Sequence, residues 1–137
     1  MVAYRLLDHT ADLGFECEGP TREALFETAA VALADIMARV DPLTAGDTLE
    51  VKASGADDAS RLRAFLGEVL FYFETTGFLP KTAEVSFEGD TVKATLKGQH
   101  VDLETHPIER VVKAITYHDL EVEEDDDGWR ARVILDL

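Results

Sequence analysis

The chain switches repeatedly between a hydrophobic period of two and one of about 3.6, and that alternation restricts it to a fold mixing strands with helices. Between Leu13 and Glu18, Phe15 and Cys17 fall to one face while Glu16 and Glu18 fall to the other, the pattern of a half-buried strand. From Thr21 to about Arg39 the period lengthens, and Leu25, Ala29, Leu33, Ile36, Met37 and Val40 recur at helical spacing. Thr21 is a natural N-cap, and Glu23 places negative charge in the first turn, where the helix dipole favours it. Thr48 to Ser54 returns to alternation, with Leu49, Val51 and Ala53 set against Glu50 and Lys52. A second helix, capped by Asp57 or Asp58, runs from about Ala59 to Thr75. Leu62, Phe65, Leu66, Val69, Leu70 and Phe73 form its apolar face, and Gly77 stops it.

The flanking segments are strand-like. Val2 to Leu7 reads as a strand that runs into the polar loop Asp8-His9-Thr10-Ala11-Asp12. Ala83 to Glu88 and Thr91 to Lys97 flank Gly89-Asp90, a two-residue hairpin signal. Pro107 to Val112 reads as one helical turn. Lys113 to Glu123 and Trp129 to Asp136 read as two long strands joined through Glu124-Asp125-Asp126-Asp127-Gly128. The expectation is an α+β fold: antiparallel or mixed sheets packed with two main helices, in a single domain over residues 1–137.

Charge narrows the function. The chain has 13 Lys and Arg against 28 Asp and Glu, a net charge of −15. Affinity for a phosphate backbone comes chiefly from Lys and Arg, so strong direct nucleic-acid binding is not expected; nor is adsorption to anionic membranes. One cysteine excludes an internal disulfide and a Cys-rich zinc module. Cys17 reads as a small core residue. No apolar run approaches the roughly 18 residues of a membrane span, and the first residues lack the pattern of a signal peptide, so a cytoplasmic protein is expected.

No glycine belongs to a phosphate-binding string, and Ser54, Ser60 and Ser86 sit in no nucleophile-elbow context. The acidic run Glu121 to Asp127 lacks the spaced ligands of a calcium loop and reads as a solvated hairpin tip. His9, His100, His106 and His118 are not spaced to enforce convergence on zinc. Two segments concentrate oxygen ligands. Asp8-His9-Thr10-Ala11-Asp12 packs two carboxylates, a hydroxyl and an imidazole between apolar strands, although an Asx or Ser/Thr turn accounts for them as well. At the other terminus, Val133-Ile134-Leu135 ends in Asp136-Leu137, placing a side-chain carboxylate, a main-chain carbonyl and the α-carboxylate close together. Such oxygens suit Ca²⁺, Mg²⁺ or Mn²⁺. If the strands at the two ends are neighbours, Asp12 and Asp136 can share one cation.

These strings resemble the archease family: His9-Thr10-Ala11-Asp12 near the start, Lys113-Ala114-Ile115-Thr116-Tyr117-His118 late in the chain, and a terminal Asp136-Leu137. Glu23-Ala24-Leu25-Phe26 with Ala29 and Ala30 resembles that family's first helix, and Leu62 to Phe71 its second, so the resemblance covers nearly the whole chain. Phe65 stands where the family usually has Trp, Gly67 where it has Asn, and Leu137 where it has Ile. The resemblance implies a non-enzymatic accessory protein of tRNA splicing and RNA repair. Its expected partner is an RtcB-type RNA ligase, whose guanylylation and multiple turnover it promotes; some family members are linked instead to a tRNA methyltransferase as chaperone-like modulators. The implied divalent-ion site falls on Asp12, Asp136 and the main-chain oxygen of Leu137, with Asp8 and His9 around it and Ca²⁺ as the expected cation ahead of Mg²⁺ or Mn²⁺. A stand-alone metal-dependent hydrolase, with His9, His106 or His118 gathered beside the aspartates, and a purely structural metal module are the competing readings. Tyr117 is expected to face inward from a central strand.

Overall fold

The computed structural model describes residues 4–8, 12–104, 108 and 110–137. In chain order the elements are β1 (Tyr4–Asp8), β2 (Asp12–Gly19), α1 (Arg22–Met37), β3 (Asp47–Ser54), α2 (Asp58–Thr76), β4 (Phe78–Glu88), β5 (Thr91–His100), β6 (Ala114–Ile115), β7 (Glu121–Asp125) and β8 (Gly128–Asp136). Their arrangement is the expected α+β fold, with every strand pair antiparallel.

Two sheets form. The larger has the order β1-β2-β8-β6, with β7 also paired to β8, and the smaller has the order β3-β5-β4. In the larger sheet β8 is central because both its edges are used. One edge pairs with β2 over its whole length, while the other pairs first with β7 and then with β6. Leu13, Phe15 and Cys17 lie opposite Leu135, Val133 and Ala131, and all six are buried.

Both helices start as the sequence predicts. The Thr21 hydroxyl accepts from the Ala24 amide at 3.0 Å, and the Asp57 carboxylate accepts from the Ser60 amide at 2.8 Å, each satisfying an amide the first turn leaves open. Helix α1 is buried on almost every side rather than along one stripe, with Phe26, Ala30, Ala32 and Ala34 joining the expected Leu25, Ala29 and Leu33. The reason is its position: it touches β2 of the larger sheet, β4 of the smaller one, and α2. Its polar residues Glu23, Glu27 and Asp35 share the one row that stays outside the core, at i, i+4 spacing with Val31. Helix α2 ends at Gly77, whose φ of 79° is left-handed and whose amide bonds Phe73 O at 2.9 Å. Among the described residues no helix is long and apolar enough to cross a membrane.

Three expectations are corrected. Asp8 and Asp12 are not loop residues but the last residue of β1 and the first of β2, because the ladder runs to the Asp8–Leu13 pair; only residues 9–11 between them lie outside the described residues. Lys113 to Glu123 is not one strand. It forms the two-residue β6, a turn closed by the Leu120 amide on Tyr117 O (3.3 Å) with Asp119 at φ 49°, and then β7. The helical turn at Pro107 to Val112 is absent among its described residues, Ile108 and Arg110 to Val112, which are irregular. Pro107 and Glu109 lie outside the described set.

Candidate functional site

The antiparallel register sets Asp12 of β2 directly opposite Asp136 of β8. Residues directly opposite in such a ladder project from the same face of the sheet, with Cβ atoms about 4.5–5.5 Å apart. Along that face Glu18 pairs with Arg130, Glu16 with Arg132, Gly14 with Ile134, and Asp12 with Asp136. Two rungs therefore match acid with base, and the last matches acid with acid. Glu16 shows what matching does: the Arg5 hydrogen bond, helped by Arg132 and Arg130, holds its carboxyl below the usual range. At the Asp12–Asp136 rung two residues with carboxylate side chains sit opposite each other.

The main chain fixes this corner from the far side of β8. Ala114 pairs with Asp136, the Lys113 amide donates to Asp136 O at 2.7 Å, and the Thr116 amide and hydroxyl both donate to Ile134 O, at 3.0 and 3.1 Å. Asp12 is half-buried and Asp136 exposed, and Leu137 follows just past the strand end, 37% exposed. The register thus sets opposite each other the two residues whose carboxylates the sequence singles out. Asp8 sits one strand further out, paired with Leu13, and His9 lies outside the described residues.

The donors at the corner are hard oxygens, suited to Ca²⁺, Mg²⁺ or Mn²⁺. Among the described residues no group of three or more His, Cys, Asp and Glu side chains gathers to hold a metal, so any ion at this rung would have to be completed by main-chain oxygens and water. His118 is exposed and pairs with its neighbour Asp119, Nε2 to Oδ2 at 3.3 Å. His100 bonds Asp47 through Nδ1 at 2.7 Å. His106 lies outside the described residues.

At the acidic hairpin the turn is Asp126-Asp127, and the Asp125 carboxylate accepts from the Asp127 amide at 2.9 Å. Arg130 reaches Glu123 at 3.0 Å and Asp125 at 3.7 Å. Those acids are tied up locally, as a solvated tip should be. Cys17 is 2% exposed, and burial, with Glu18 adding, pushes its thiol up to about 12, so it is a core residue and not a nucleophile.

Tyr117 corrects another expectation. It is 66% exposed, because the chain turns away after Ile115 instead of continuing as a strand. The guanidinium of Arg63, from α2, lies 3.9 Å from the centre of its ring, and Arg63 Nε donates to Ile115 O at 2.9 Å. Arg63 thereby covers the free edge of the short strand that clamps Asp136. Sequence reasoning missed it because an arginine beside a helix's apolar stripe looks like any solvated residue.

Comparison with known proteins follows the same lines. The sequence model of the Archease protein family matches residues 4–137. The chain is 38% identical to the archease of Archaeoglobus fulgidus over 137 residues, covering 98% of each. It is 33% identical to that of Methanosarcina barkeri over 139 residues, covering 98% of this chain and 95% of the relative. The solution structure of protein 1598 from Methanobacterium thermoautotrophicum superposes with a TM-score of 0.85 at 33% identity, covering 100% of both chains. The crystal structure of a Thermotoga maritima archease, described as a possible chaperone, shares the fold with a TM-score of 0.66 at 22% identity, over 96% of this chain and 94% of that one. With its whole described length matched and relatives above 30% identity, the chain belongs to the archease family.

Proposed function

We propose that this protein is an accessory factor of tRNA splicing and RNA repair that activates an RtcB-type RNA ligase, promoting its guanylylation and repeated turnover, through a divalent-ion site built on Asp12, Asp136 and the main-chain oxygen of Leu137. The observation that carries this reading is the acid-opposite-acid rung of Asp12 and Asp136, at the end of a ladder face whose two other charged rungs, Glu16–Arg132 and Glu18–Arg130, match acid with base. The description of the Thermotoga maritima relative as a possible chaperone points to the same kind of work, performed on another protein.

The two carboxylates hold the ion, and the backbone bond from Lys113 to Asp136 O keeps the strand end in place while they do so. A bound cation would supply positive charge between the two carboxylates. Calcium fits best, since its flexible coordination accepts carboxylates, carbonyls and water together, whereas magnesium demands near-ideal octahedral geometry. A surface charge of −15 steers the protein toward a basic cleft of the kind that holds RNA, accelerating encounter more than it strengthens binding.

The test is multiple-turnover ligation by an RtcB-type ligase with GTP, comparing the wild type with Asp12→Asn. Loss of stimulation by a folded mutant supports the reading, and undiminished stimulation overturns it. Turnover of RNA by the purified chain alone would favour a stand-alone hydrolase.

A further inference from the structure

The smaller sheet leaves one long edge open, and its hydrogen-bond phase can be read from its end. One step beyond the Ser54–Thr91 pair, the Gly55 amide donates to Asp90 O at 3.2 Å, which makes that rung a hydrogen-bonded one. Bonded and non-bonded rungs alternate in an antiparallel ladder. Leu49, Val51 and Ala53 therefore bond β5, while Thr48, Glu50, Lys52 and Ser54 turn their amides and carbonyls away from it. The Ser54 and Thr91 hydroxyls, 3.1 Å apart, fit a non-bonded rung, where facing side chains stand closer. Among the described residues no other element bonds the main chain of those four.

The other edges are covered or short. On β4 the Glu27 carboxylate accepts from the Val85 amide at 2.9 Å, occupying a bond that a neighbouring strand would need. Strand β6 has two residues, with Arg63 on Ile115 O, and β1 and β7 have five each. Strand β3 has eight residues, no proline and no bulge, so the common guards of an exposed edge are missing except for Lys52. Beside it runs an open groove of ≈ 610 Å³, with Lys52, Ala53 and Ser54 on one side and Ala64 and Glu68 of α2 on the other. The helix does not close the edge.

The sequence of β3 is its own complement. Laid antiparallel against a second copy and centred on Val51, it sets Glu50 opposite Lys52 and Thr48 opposite Ser54, each in both directions. Those are the residues whose main-chain groups face the open edge, so all of their rungs become hydrogen-bonded. A slip of two residues either way sets Glu50 against Glu50 or Lys52 against Lys52, which cross-strand repulsion disfavours. On the inner face Val51 meets Val51, and Leu49, already packed against the core, meets Ala53. From this self-complementarity we infer that β3 is a dimerisation edge: two copies pair β3 to β3 about Val51, joining two three-stranded sheets into one of six strands. A two-fold contact requires a self-complementary surface, and strand addition supplies the main-chain bonds. The net charge of −15 opposes association, but at about 0.15 M salt charges farther apart than about 8 Å are largely screened. The local Glu50–Lys52 pairs then set the register.

The test is sedimentation equilibrium from about 1 μM to about 1 mM protein, comparing the wild type with Glu50→Lys, Lys52→Glu and the double variant carrying both changes. Glu50 and Lys52 are exposed, and the double variant leaves the composition unchanged; circular dichroism confirms the fold of each. The wild type is expected to dimerise as concentration rises. Each single variant sets like charges opposite each other on both sides of the two-fold, raising the dissociation constant by about tenfold. The double variant restores it to within about threefold of the wild type. An equimolar mixture of the two single variants forms a mixed dimer about as tight as the wild type, because opposite charges again meet at every charged rung. A wild type that is monomeric throughout overturns the inference. So does a dimer that both single variants leave within about twofold of the wild type, or one that neither the double variant nor the mixture restores.

Discussion

Arg63 and Tyr117, more than fifty residues apart, are joined by a guanidinium lying 3.9 Å from the centre of a ring that is mostly open to solvent. The same arginine bonds Ile115 O, so one side chain ties helix α2 to the short strand that clamps Asp136. Replacing Arg63 with Met keeps much of the packing and removes both polar contacts. The expected cost is about 1–2 kcal/mol of stability, with a several-fold loss of calcium affinity as the Ala114–Asp136 pairing loosens. Chemical denaturation and a calcium titration of the same variant check this. A stability loss with wild-type calcium affinity would confine Arg63 to a purely structural role.

Gly98 sits where two backbones nearly touch. A Cβ at this position would come within 1.9 Å of Leu79 O, and the β4–β5 register slips beside it, between Pro80 and Thr82. Gly98→Ala should therefore cost about 3 kcal/mol or more through forced displacement of backbone, read as a shift in the urea midpoint. Gly67→Ala, facing open space in the middle of α2, should instead stabilise by about 0.5–1 kcal/mol.

Cys17 gives the fold an alkaline limit. The unfolded thiol gives up its proton near 9.0, whereas the buried one keeps it to about 12. Over that interval the unfolded state binds fewer protons, so the thiol's contribution is fully present below pH 9 and stability falls by about 1.4 kcal/mol per pH unit above it. Unfolding free energy measured between pH 8 and 11 should decline less steeply in Cys17→Ala. At pH 8 the native thiol should also resist aromatic disulfide reagents until the chain unfolds.

Much of this architecture can be read from residue order alone, and the failures have physical causes. The two helices and their caps were legible because periodicity and capping are local, as Thr21 and Asp57 illustrate. The break after Ile115 was not, because Lys113 to Glu123 contains no glycine or proline and the turn depends on Asp119 adopting a positive φ. Asp12 and Asp136 were identifiable as candidates from their oxygen-rich contexts, but their direct opposition is a property of strand register that neither segment encodes by itself. Arg63 was invisible for a similar reason, since its meaning lies in an edge strand formed far along the chain.

The acidic hairpin offers an internal control. Asp126→Asn with Asp127→Asn removes two negative charges from the turn while leaving the Arg130 contacts to Glu123 and Asp125 intact. Calcium affinity should change by less than about twofold, since the charges lie at the far end of β8 and solvent and salt screen them. A large loss in this variant, with the corner intact, would move the ion site to the tip.

The Asp12–Asp136 rung itself is tested most directly by calorimetric titration of calcium into the chelator-treated protein, with Asp136→Asn alongside. The wild type should bind one ion, and the variant should bind none, because it lacks one of the two carboxylates. A wild type that takes up no calcium, or an Asp136→Asn variant that binds as tightly as the wild type, would contradict the account.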